Sequence, residues 1–229
     1  MLDAANLDLL ENLVGDRVKT LPLTPRQQAR RGLILECVRS QIEESGYDGV
    51  SMRKVAEQAN VSPSTLYEIY KSKEHLILYA LEENLRGLVV EEGRYEAGLE
   101  RFVHRLESIA GFFESDVETG LSIIELFLRA SANSPANEIL LANAIKARKT
   151  SLLEMLEMKQ LKPDIDVEFY SRALVSLTWG TAIMFARNFI SVEAFRSELI
   201  RSSLSLLLPV STDNSTKRIS KVIDLYTSR

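Results

Sequence analysis

With 229 residues, 45% of them apolar, the chain is long enough for one large buried core or two smaller ones. Its net charge of −4 argues against a general polyanion binder, and a single cysteine, Cys37, excludes an internal disulfide framework and suits a reducing compartment. No alternating strand pattern, internal repeat or low-complexity run occurs, so the expected fold class is all-α.

Residues 1–23 carry Leu7, Leu10, Leu13 and Val14 at weakly amphipathic spacing before Leu21-Pro22, which favours a short helix over a frayed arm. Asp3 and Asp8 interrupt the apolar start, and the first basic residue is Arg17, so an export signal is not expected. The uncharged run from Ala173 to Ala186 holds 14 residues, too few to span a bilayer. A soluble, cytoplasmic protein is expected.

Thr24-Pro25 is a cap and first-turn proline that opens a helix running to about Ser45, stopped by Gly46. Leu33, Ile34, Cys37, Val38 and Ile42 form its inward face, where Cys37 reads as a small core residue rather than a reactive thiol. Arg26, Arg30 and Arg31 cluster at its start, as a solvated face or a phosphate contact. Ser51 then caps a helix over Met52–Ala59, with Val55, Ala56 and Ala59 on one side. Ala56 is small enough to let a second helix cross closely. Asn60 tolerates the left-handed conformation of a sharp turn, and Val61 plugs it. Ser62-Pro63 caps a third helix, from which Leu66 and Ile69 are expected to point back, leaving Ser64, Thr65, Tyr67, Glu68 and Lys71 outward. Two short helices joined this way form the pattern of a helix-turn-helix DNA reader.

Lys71 to Glu74 makes another turn and cap before a long helix whose apolar face is Leu76, Ile77, Tyr79, Ala80, Leu81, Leu85, Leu88 and Val89. Further helices are expected over Glu96–Phe113, Val117–Ala130, Pro135 towards Leu161, Asp166–Ile190 and Val192–Leu208; Pro209 and the polar stretch Ser211–Lys217 end the regular pattern, and Ile219–Tyr226 is left as a short helix or a loose tail. The window Thr24–His75 holds eight basic and seven acidic residues, a net of +1, so the remainder carries −5. A weakly basic end on an acidic body fits a protein that meets DNA with one part only.

The run GYDGVSMRKVAEQANVSPSTLYEIYKSKEHL resembles the DNA-binding domain of the TetR family of bacterial transcriptional regulators over about residues 24–80. Gly46-Tyr47, Ser51, Val55-Ala56, Val61-Ser62, Leu66-Tyr67 and Lys71-Ser72-Lys73 carry the resemblance. Asn60, where glycine is frequent, and Tyr70, where phenylalanine is common, depart from the pattern mildly. The resemblance implies an N-terminal three-helix DNA-binding domain (24–72) after an extension (1–23). A helical effector-binding and dimerisation domain (73–208) and a tail (209–229) would follow. It implies that Ser62–Tyr70 is the recognition helix, with Ser64 and Thr65 at base edges. Ser51, Arg53, Ser62, Tyr67, Tyr70, Lys71 and Lys73 would serve phosphate contact or helix capping at the DNA; for Tyr70 a core role is an equal alternative, whereas Lys73 is expected to be too exposed to pack.

Partners implied are a near-palindromic double-stranded operator, a second copy of the chain joined through residues 166–208, and a small-molecule effector. Candidate lining residues are Phe112, Phe113, Phe127, Met155, Tyr170, Trp179 and Met184. Their aromatic and thioether character, with few charges expected inward, favours an apolar or aromatic effector over a highly charged one. The implied function is a ligand-responsive regulator, a repressor released by its effector, with no cofactor, metal or membrane. Two alternatives compete with it. An adaptor that kept the DNA-binding architecture would have lost the outward side chains, whereas Tyr67, Lys71 and Lys73 are present. An enzyme would need site chemistry, but His75 and His104 lie on separate helices outside metal-ligand spacing, and there is no glycine-rich phosphate loop or nucleophile elbow.

Overall fold

The computed structural model describes residues 24–90, 95–129 and 135–227. The expected helix within 1–23 lies outside them, and the side chains of Leu85, Leu88 and Val89 are likewise not among those described. The described helices are α1 (Pro25–Gly49), α2 (Met52–Gln58), α3 (Pro63–Tyr70), α4 (Lys73–Val90), α5 (Leu99–Ser115) and α6 (Val117–Arg129). They continue with α7 (Pro135–Glu157), α8 (Val167–Ala186), α9 (Val192–Leu207) and α10 (Asp213–Thr227), with a 3₁₀ turn at Leu208–Val210. Among the described residues there is no strand, only an isolated bridge between Leu161 and Ser211. No described helix is long and apolar enough to cross a membrane.

The chain divides into two compact units, Met1–Gly87 with Asp116–Leu140, and Leu88–Ser115 with Leu141–Arg229. This grouping differs from a division at residue 72, because α6 packs with the helix-turn-helix unit although it lies far along the chain from it.

In the first unit, α1 begins with a capping box. Thr24 Oγ1 accepts the Gln27 amide, and Gln27 Oε1 accepts the Thr24 amide. Gly46 breaks the helix at φ +63°, a conformation that costs glycine little, and one further turn carries Tyr47 into the core. Ile34, Val38 and Ile42 from α1, Val55 and Ala56 from α2, and Leu66 and Tyr70 from α3 are almost wholly buried. Leu76, Ile77 and Leu81 of α4 and Ile124 and Leu126 of α6 are buried likewise. α6 packs with α1, and Thr119, Gly120 and Ser122 are among its buried residues.

In the second unit, α9 is central, packing with α5, α8 and α10. Phe113, Phe185 and Phe195 form a ring cluster with centroids 4.9–5.8 Å apart, Phe113 meeting Phe185 edge-on and Phe195 tilted against both. Gln160, buried after α7, accepts the Leu99 amide at 2.7 Å and so satisfies the start of α5. After the turn at Leu208–Val210, residues Asp213–Thr227 form an amphipathic helix. Ile219 is fully buried, Arg218 pairs with Glu100 at 2.9 Å, and the Tyr226 hydroxyl donates to Glu107. Of the two readings left open for Ile219–Tyr226 the helix is the one observed, and it starts at Asp213, inside the polar stretch expected to be irregular, because burial of one face of α10 outweighs its polar composition.

Candidate nucleic-acid interface

The reader is built from α2 and α3. Ser51 caps α2, its Oγ accepting the Lys54 amide at 3.5 Å, while its own N–H donates to Gln41 Oε1 at 2.9 Å. Gln41 Nε2 in turn donates to Gln58 Oε1 at 2.7 Å, so one buried amide on α1 braces both ends of α2. Sequence reasoning missed Gln41, although it sits on the same face as Ile34, Val38 and Ile42, where a polar residue signals a specific partner.

Asn60 adopts φ +51°, as a sharp turn requires, and the Val61 amide donates to Ala56 O at 2.9 Å. Ser62 caps α3 through the Thr65 amide at 3.1 Å, and its Oγ lies 2.8 Å from both Ser64 Oγ and Thr65 Oγ1. Pro63 occupies the first turn, where its missing N–H costs nothing. Leu66 and Tyr70 anchor α3 into the core. Lys71 ends it in the left-handed region at φ +62°, held by its amide to Tyr67 O at 3.0 Å. Its ammonium returns to Glu68 O at 2.6 Å.

The side of α3 away from the core presents Ser64, Tyr67, Glu68 and Ile69 to solvent, with Thr65 half-buried beside them. Tyr67 is 51% exposed, large for an aromatic residue in a short helix. Arg53 is exposed at the start of α2 and engages Glu57 at 3.1 Å. Short hydroxyls and an exposed phenol on α3, with the cations Lys71 at its end and Arg53 on α2, form a surface suited to the edges and phosphates of a duplex.

Three expectations need correction. Ile69 does not return to α2; it is 42% exposed, because Leu66 and Tyr70 already fill the inward direction one turn apart. Tyr70 is 1% exposed and cannot reach a phosphate in this conformation. Its ring meets Tyr79 edge-on at 5.5 Å, and burial pushes its hydroxyl pKa up to about 12. Lys73 is not freely exposed: its ammonium lies 4.5 Å from the centroid of the Tyr47 ring. Desolvation holds the Lys73 pKa below the usual lysine value, opposed by Asp48 and Glu74.

The seven candidate effector residues are divided between the two units. Phe127 belongs to α6 in the first unit, while the other six lie in the second. Phe113 and Met155 are core residues, Phe112, Tyr170 and Trp179 are half-buried, and Met184 is 48% exposed. Charges also enter the second unit's interior, against expectation. Arg105 and Arg148 are almost fully buried, Arg101 meets Glu154 at 3.0 Å, and Arg105 donates to Ser151. An open cleft of about 390 Å³ between α5 and α10 is lined by Tyr95, Leu99, Val103, His104 and Val222, with Arg218 and Lys221 at its side, and includes none of the seven.

A capped pair of short helices on a buried three-helix core, with a polar outer face on the second, defines a helix-turn-helix DNA-binding protein. Residues 34–80 match the family model described as bacterial regulatory proteins, tetR family. The regulator UidR of Escherichia coli is 24% identical over 188 residues, covering 80% of this chain and 95% of that protein. The repressor KstR of Rhodococcus jostii is 32% identical over 113 residues, 48% of this chain and 53% of that one. Among solved structures, Thermus thermophilus FadR, a TetR-family repressor in complex with lauroyl-CoA, shares the fold. Its TM-score is 0.65 at 22% identity, over 78% of this chain and 93% of that one. Residues 34–80 thus carry the DNA-binding region of the TetR family of bacterial transcriptional regulators, and the chain shares the fold of that family's solved structures.

Proposed function

We propose that the protein is a ligand-responsive transcriptional repressor that binds a near-palindromic operator as a homodimer and leaves it when a small molecule occupies the body. The observation that carries this reading is the outer face of α3, where Ser64, Thr65, Tyr67 and Lys71 are held by caps and core contacts rather than left on a loop. Ser64 and Thr65 meet base edges; Arg53, Tyr67 and Lys71 meet phosphates, and Ser51 and Ser62 orient the helices that carry them. Lys73 reaches a phosphate only by leaving the Tyr47 ring. The reader is assigned to residues 24–72, the effector-binding and dimerising body to residues 73–208, and no catalytic step to either.

Dimerisation is supported by α8. Its buried face is Ser171, Leu174, Val175, Ala182 and Phe185, while Phe169, Ser176, Gly180 and Met184 recur at helical spacing on an exposed side. A side chain added at Gly180 would meet nothing within 4 Å, so a second copy can approach closely there. A symmetric pair covers that side and sets two recognition helices about one DNA turn apart, roughly 34–36 Å. The proposed effector has an apolar or aromatic portion, in keeping with the phenylalanine-rich body, and differential affinity for two head spacings is what releases the DNA. FadR, with its lauroyl-CoA, is a relative whose ligand has such a portion.

The test is selection of duplexes from a random pool by the full-length protein, followed by binding at several salt concentrations. The expected result is a two-fold symmetric consensus bound by a dimer, with Met184→Glu shifting the protein towards monomer in sedimentation. Enrichment of no sequence at low salt would refute the repressor reading.

A further inference from the structure

The turn that leads into the helix-turn-helix is clamped by a helix outside it. Tyr47, 7% exposed, lies one residue after the Gly46 break and four before the Ser51 cap. Its ring has the Lys73 ammonium 4.5 Å from the centroid and the Arg129 guanidinium 5.7 Å from it. Lys73 is the first residue of α4, two beyond the left-handed Lys71 that ends the recognition helix. Arg129 is the last residue of α6 and also pairs with Asp48 at 2.8 Å and with Glu125 on its own helix. One ring and its neighbouring carboxylate therefore join the leading turn, the segment just after the recognition helix, and the end of α6.

We propose that Arg129 is a positioning residue for operator binding, acting on the recognition helix through Tyr47, Asp48 and Lys73. Two cations that share one aromatic ring repel each other, so a displacement of Arg129 changes the hold on Lys73. Loss of its pairing to Asp48 also releases the turn that orients α2. Arg129 lies outside the DNA-reading face of α3 and needs no contact with the duplex to act. The rest of α6 is firmly packed, with Ile123, Ile124 and Leu126 buried, so a shift of that helix reaches Arg129 as a rigid movement. The inference rests on the operator-binding reading above and deepens it.

The experiment uses full-length protein and the duplex selected by the wild type. Arg129→Gln is expected to weaken that complex about three- to thirtyfold, the range over which residues away from a ligand modulate binding. Dimerisation and helicity are expected to stay unchanged, as is the dependence of affinity on salt, because no phosphate contact is lost. Arg129→Lys, which keeps the charge but not the planar fork, is expected to recover part of the loss. In the Arg129→Gln background, Lys73→Gln should have a different effect from its effect alone, the sign of coupling through a shared partner. Affinity within twofold of wild type would overturn the inference. So would a salt slope reduced by about one, which identifies Arg129 as a phosphate contact instead. Should Arg129→Gln lose helicity, the Arg129→Lys comparison and its cycle with Lys73→Gln decide in the same way. A wild-type protein that selects no sequence would refute the repressor reading itself.

Discussion

Replacing Tyr70 by phenylalanine separates a structural from a DNA-contacting role for that residue. The ring is 1% exposed and packs edge-on against Tyr79, whereas the hydroxyl has no hydrogen-bond partner among the described residues. A buried, unsatisfied hydroxyl costs about 1–3 kcal/mol, and phenylalanine removes it while preserving the ring contacts. Tyr70→Phe should therefore raise stability by about 1 kcal/mol, at the low end of that range because the oxygen's small volume is left unfilled. Urea denaturation followed by circular dichroism measures this as a higher midpoint at unchanged slope.

Alkaline pH gives a second readout. Burial raises the folded pKa from 10.0 to about 12, so the folded state holds the proton more tightly than the unfolded one. The associated stability is fully present below pH 10 and is lost as pH rises through 12, amounting to about 2–3 kcal/mol. Tyr70→Phe should lack that increment of the alkaline decline. A midpoint lowered by the equivalent of about 1 kcal/mol would show that the hydroxyl is satisfied, against the burial argument. A tenfold loss of operator affinity, an effect of about 1.4 kcal/mol, would show that it reaches DNA.

Tyr67→Ala and Lys71→Ala should each weaken operator binding with dimerisation intact, and Lys71→Ala should reduce the salt slope by about one, read by titration at several salt concentrations. Loss of the dimer in either variant would mean that the functional surface lies elsewhere. Gln41→Ala removes the brace at both ends of α2 and should destabilise the protein by about 1–3 kcal/mol, measured by the same denaturation. An unchanged midpoint would mean that the Ser51 amide and Gln58 find other partners at no cost.

Much of the reader is legible in the sequence because its signals are local. A cap, a turn residue and a first-turn proline act over short stretches of chain, so Ser51, Asn60 and Ser62-Pro63 locate α2 and α3 without knowledge of the rest. Periodicity likewise identifies Leu66, Val55 and Ala56 as core. Residues at the edge of a buried face are harder. Ile69 has the composition of a core residue, yet its direction depends on Leu66 and Tyr70 having filled the space. Tyr70 and Lys73 have the composition of phosphate contacts, but their burial depends on Tyr79 and Tyr47, which come from other helices.

The sequence by itself determined an all-helical chain with a capped helix-turn-helix and a family resemblance concentrated in residues 24–80, since these follow from short-range backbone preferences and helical spacing. Only the tertiary structure decided that α6 packs with the reader, that Gln41 braces α2, that Arg105 and Arg148 are buried, and that α10 forms with one face buried. Each of these depends on contacts between residues far apart in the chain. Local propensity carries no record of which distant face will cover a side chain, and it is that covering which turns an exposed cation or phenol into part of a core.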